Sequence, residues 1–122
     1  MRPPHRLEWD KNIAADFRAL AAVDRRLVEI ARTVAFDVAN HHAHGKALGQ
    51  RHISGDLTGF YRMSFDLPGY RPHRFRLVYD RPSSGVVRIV AIGGRESSAV
   101  YRALADRLET NETLRRPRDT AS

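Results

Sequence analysis

The stretch "FYRMSFDLPGYRPHRFRLVYDRPSSGVVRIVAI", residues 60–92, decides the fold. From Phe60 to Leu67 it alternates. Tyr61, Met63, Phe65 and Leu67 face one way and Arg62, Ser64 and Asp66 the other, the period of a strand with one buried face. The turn-rich link "PGYRPH" leads into a second such run, His73 to Asp80, in which Phe75, Leu77 and Tyr79 oppose Arg74, Arg76 and Val78. "RPSSG" turns again, and Val86 to Ile92 reads as a central strand, more apolar than its neighbours. Three strands joined by short turns predict an antiparallel meander.

Upstream, "HRLEW" (His5 to Trp9) reads as a short strand and Asp10 as a helix N-cap. Ile13, Phe17, Leu20 and Ala21 recur at helical spacing to about Ala22. Asp24 then caps a longer helix whose stripe is Leu27, Ala31, Val34 and Val38, widened by Ile30. That helix is expected to run out in "NHHAHG", with Gly45 as the stop. Two helices with almost no linker predict an antiparallel hairpin, with Trp9 and Phe17 in the core. Residues 45–57, "GKALGQRHISGDL", read as a polar, glycine-rich connection. Downstream of the meander, "GGRESSAVY" (Gly93 to Tyr101) sets an arginine directly after two glycines and a tyrosine in the first turn of a final helix. That helix spans about Ser97 to Glu109 and buries Val100, Leu104 and Leu108. The fold class is α+β, one domain over 1–122 with its core at about 5–109 and a disordered tail over 110–122. Helices cover one face of the meander, and the other is expected to stay wet and to display Arg62, Arg74 and Arg76.

Charge narrows the function. The formal net charge is +7, and 21 Lys and Arg face 14 Asp and Glu. Between Lys46 and Arg95 nine basic residues meet three acids, a net of +6, so the excess sits in the middle of the chain. A localised basic field favours a polyanion, with nucleic acid first. The chain has no cysteine, which excludes disulfides and thiolate metal sites. His41, His42 and His44 match no metal-motif spacing, and imidazoles near a helix C-terminus suit its dipole. Neither metal nor cofactor is expected. No apolar leader or membrane-length run is present, so the expectation is a soluble, cytoplasmic protein with no membrane partner.

With these pieces in order, the chain resembles the RelE/ParE toxins of bacterial type II toxin–antitoxin pairs, on the RelE side, from about Leu7 to Leu108. "GDLTGFYRM" is similar to the family's glycine-led second strand, "FRLVYD" to its arginine-bearing third strand, and "GGRESSAVYRAL" to its last strand-to-helix junction. The resemblance implies a ribosome-dependent endoribonuclease that cuts mRNA without metal, by attack of a 2′-hydroxyl on the neighbouring phosphorus. It also implies a cognate antitoxin, the ribosome and mRNA as partners, and a toxin–antitoxin hetero-oligomer. Carried over by position, Arg76 binds the scissile phosphate, Arg95 serves the leaving-group side, Tyr101 stacks on or orients the substrate nucleotide, and Arg62 fills the first of two basic positions on the second strand. The second, usually lysine, is Ser64 here. Arginine stays protonated and so cannot accept the 2′-proton, and the lysines, Lys11 and Lys46, are read as helix and loop residues. The candidate general bases are therefore His73 and His52. By strict alternation His73 points away from Arg76, unless the strand starts irregularly. Arg74, Lys46, Arg51 and Arg88 are the expected auxiliary RNA and phosphate contacts. Two alternatives remain at this level: a ParE-like gyrase inhibitor acting by binding, for which Ser64 argues, and a lapsed toxin that only binds its antitoxin.

Overall fold

The computed structural model describes residues 3–51 and 55–110. The elements are β1 (Arg6–Trp9), α1 (Ile13–Val23), α2 (Arg26–Ala39), β2 (Lys46–Arg51), β3 (Gly55–Phe65), β4 (Phe75–Asp80), β5 (Val86–Gly94), a short 3₁₀ turn (Glu96–Ser98) and α3 (Ala99–Thr110). One five-stranded sheet is ordered β1-β5-β4-β3-β2. The meander β3–β4–β5 is antiparallel throughout, and β1 joins β5 in parallel.

The alternation read from the sequence holds. Phe65, Leu77, Tyr79, Val87 and Ile89 form one core with Ile13, Leu20, Leu27, Ala31 and Val38 of the α1–α2 hairpin. Burying such a side chain contributes roughly 1.5–3 kcal/mol, so this face supplies the main driving force.

The opposite face departs from expectation. Leu57, Phe60, Val78, Val90 and Ala91 form a second apolar stripe, and α3 covers it with Val100, Tyr101 and Leu104. Only one end of that face stays polar and open. A further clamp runs round the edge of β5, beyond the reach of β1. Asp16 of α1 accepts the Ile92 N–H at 2.9 Å. Arg107 of α3 donates to the Val90 carbonyl at 2.8 Å and to both Asp16 oxygens. Edge groups that would seek another strand are thereby satisfied, and helices on opposite faces are tied together.

The described part of the expected connection is largely strand. Lys46–Arg51 form the edge strand β2, paired antiparallel to β3, which itself begins at Gly55. The strand is polar because it is an edge: among Lys46–Gly49 Leu48 is the buried residue, and a bulge between Ala47 and Gly49, with Gly49 at φ 64°, breaks the alternation. Gly45 lies where its chain comes close to the sheet. A Cβ there would stand 2.8 Å from the Arg62 carbonyl and 2.9 Å from the Tyr79 ring, and its N–H donates to the Tyr79 hydroxyl at 2.8 Å.

Smaller corrections concern helix ends. Asn12 takes the N-cap position of α1, while the Asp10 carboxylate accepts from the Asn12 backbone and side-chain amides. Helix α2 stops at Ala39, before Gly45, because His41 has already left helical geometry at φ 64°. Trp9 is 38% exposed and lies on Phe17 at the rim, not in the core.

Candidate active site

Strand β4 places Arg76 beside Ser64 of β3 and Gly93 of β5. Arg62, two residues before Ser64, projects from the same face, and its Nη1 donates to the Ser64 hydroxyl at 3.0 Å. Across β3, the partner of Arg62 is Lys46. The loop reading of Lys46 is thus overturned: it stands on β2 and faces the same groove. Gly45 explains the placement. Its close fit against Arg62 and Tyr79 seats the start of β2, and His44 and Lys46, two residues apart, both line the cleft.

Two clefts meet at Arg76. The narrower, about 510 Å³, is lined by His44, Lys46, Arg62, Ser64 and His73 as well as Arg76. The wider, about 980 Å³, carries Tyr70, Arg74, Arg95 and Tyr101. Arg62, Arg71, Pro72 and Arg76 line both, so the two form one groove across the open end of the sheet. His73 reaches it because β4 begins only at Phe75; residue 73 precedes the strand and escapes its alternation. Arg95 is fixed by its backbone, whose N–H donates to the Arg74 carbonyl at 2.9 Å and extends the ladder past Gly94. Its side chain is exposed.

The electrostatics centre on Arg76, which is 9% exposed. Its Nη1 donates to the carbonyls of His73 and Phe75 at 3.1 and 2.9 Å. Burial pushes the guanidinium down from its ordinary value. Arg62 and Arg95 push the same way through like charge, while Tyr101, through charge and a hydrogen bond, holds it up. The ion pairs among the described residues engage Arg6, Arg26, Arg32, Arg74, Arg88 and Arg107, and none engages Arg76. A buried charge is ordinarily paired. This one is kept among cations.

The remaining expected residues fall elsewhere. Arg88 is not a surface phosphate contact: it is 8% exposed and makes a two-pronged pair with Asp80, at 3.0 and 2.7 Å. Its strand position put it opposite Asp80 on the face that α3 covers. Arg74 borders the wider cleft, but its fork is held by Asp66 at 2.8 Å on each side. The hydrogen bonds from Arg74 hold the Asp66 carboxyl at about 2, against the raising effect of burial. Tyr101 is 5% exposed, its ring packed in the second core. Arg51 ends β2, and His52 lies outside the described residues. Sequence reasoning missed His44 and Tyr70 as groove residues. No strand signal could have found His44, because it precedes the first ladder residue of β2, Lys46.

With the geometry in place, comparison with solved structures gives an arginine double mutant of the E. coli toxin RelE in the free state. It is 21% identical in sequence, covers 87% of this chain and 99% of that chain, and has a TM-score of 0.59. The chain has a RelE-like fold. No family model matches the chain, and no curated protein does. In the RelE-like frame, the groove occupies the open end of the antiparallel sheet beside the strand-to-helix junction that carries Arg95 and Tyr101. No described helix is long and apolar enough to cross a membrane.

Proposed function

We propose that this chain is the toxin of a type II toxin–antitoxin pair and a ribosome-dependent endoribonuclease that cuts mRNA. The observation that carries the reading is Arg76: a nearly buried guanidinium with no carboxylate partner among the described residues, flanked by Arg62 and Arg95. An RNA phosphate is the anion that such a cluster lacks, and arginine binds it with a fixed fork of donors.

In the proposed reaction a base removes the 2′-proton and the oxygen attacks phosphorus. The P–O5′ bond breaks, and the leaving oxygen gains a proton. The products are a cyclic phosphate and a 5′-hydroxyl. His73 is the base we favour, because it lines the narrower cleft with Arg76. His52 remains a candidate without a described position. Arg76 and Arg62 stabilise charge on the phosphorane oxygens. Arg95 serves the leaving side, and Lys46 and Arg71 hold flanking phosphates. Tyr101 acts through Arg76, by holding its guanidinium. A cognate antitoxin would cover the same cations with an acidic segment, giving a toxin–antitoxin hetero-oligomer in the cytoplasm.

The test is cell-free translation of a defined mRNA with purified protein and an Arg95→Ala control, read by primer extension. Discrete cuts that require ribosomes and vanish in the control support the proposal. Continued translation of intact mRNA sinks it, and inhibition of gyrase supercoiling in its place would establish the ParE-like alternative.

A further inference from the structure

Tyr70 stands out among the groove residues. It is 47% exposed and lines the wider cleft. The Arg74 guanidinium sits over its ring, 3.8 Å from the centroid. Arg74 is itself locked by both Asp66 oxygens, and Asp66 accepts the Arg74 and Leu67 backbone N–H groups as well. The ring therefore rests on a fixed cation and keeps half its surface open. Beside it in the same cleft are Val23, 58% exposed, and the Arg95 side of the Arg76 groove. Tyr101, by contrast, borders the same cleft at only 5% exposure, its ring packed in the second core.

We infer that Tyr70 is the stacking platform for a nucleobase of the bound RNA, next to the phosphate held by Arg76. The inference rests on the endoribonuclease reading above. Three features favour a base over another apolar ligand. An aromatic face and cations interleave along one groove, as in sites that track single strands. Arg74 braces the ring on one side, so ordering it on binding costs little. The apolar surface offered, one ring with Val23 at its margin, is scaled to a base rather than to a protein helix.

The test uses single-stranded RNA oligonucleotides of about ten nucleotides, with 2-aminopurine at successive positions, titrated with wild type, Tyr70→Phe and Tyr70→Ala. Anisotropy reports binding and fluorescence quenching reports stacking. Quenching at one position is expected with wild type and with Tyr70→Phe. With Tyr70→Ala the quenching disappears and affinity falls roughly 5- to 150-fold, while the residual binding keeps its salt dependence. Unchanged quenching and affinity in Tyr70→Ala would overturn the platform and leave the RNA reading intact. Failure of wild type to bind any of the oligonucleotides, together with intact mRNA in the translation reaction, would remove the RNA reading and the platform with it.

Discussion

Arg76 and Arg88 lie on the same face of one sheet, at opposite ends of β4's row of partners, and are 9% and 8% exposed. Arg88 meets Asp80, itself fully buried, in a two-pronged pair and is covered by the α3 side of the core. Arg76 has backbone carbonyls, a phenol and two neighbouring cations. The difference teaches where the molecule keeps charge for its own structure and where it keeps charge for something else. At one end the fold neutralises its arginine. At the other it withholds the counter-ion.

The largest effect should come from breaking the neutralised end. Asp80→Ala leaves the Arg88 charge buried and alone and should cost about 3–5 kcal/mol in urea unfolding. Replacing both residues with apolar ones of similar volume should restore most of that stability. The next effect belongs to the other end and appears in rate. Arg76→Met should lower single-turnover cleavage of ribosome-bound mRNA by roughly 10²- to 10³-fold, the usual result of removing one transition-state donor. Its unfolding free energy should stay level or rise, because an uncompensated cation is removed. Equal destabilisation by Arg76→Met and Asp80→Ala would erase the contrast.

Arg107→Ala sits between the two in kind, since the clamp to Asp16 and Val90 is structural but partly exposed. It should cost about 1.5–3 kcal/mol, as charge-assisted hydrogen bonds do. Cleavage by the folded fraction should be unaffected. The smallest effect is in acid. Asp66 is held at about 2 in the fold, below its ordinary value of 3.8. A depressed carboxylate stabilises the fold above its unfolded pKa. That contribution fades as pH falls from about 4 and is lost on passing through about 2. Asp66→Asn should therefore flatten the pH dependence of stability in that window and leave it unchanged near neutrality.

The meander was legible because its alternation survives in plain order, and the hairpin because its stripe is unbroken. Strand β2 was not, since between Lys46 and Gly49 it buries Leu48 alone and a bulge there breaks the alternation. Nor was the second core. Its strand residues come one or two at a time from β2, β3, β4 and β5, so no local window shows a second apolar face until α3 is laid across them. Within the groove, Arg76 and Arg95 could be named from the strand and junction that carry them. What alternation cannot give is the allocation of counter-ions. Arg74 and Arg76 share a strand pattern, yet Asp66 takes the first and leaves the second. His73, named as a candidate base from the sequence, lines the groove against strict alternation for a related reason: strand rules apply only once the ladder begins, at Phe75.

The most direct test of the withheld counter-ion is the single-turnover cleavage rate of Arg76→Met against wild type on ribosome-bound mRNA, with the melting temperature of the same samples. The account predicts a rate lower by at least about 10²-fold in a protein that melts no earlier than wild type. Cleavage at the wild-type rate by the variant would contradict it, and Arg76 would then be a structural arginine like Arg88.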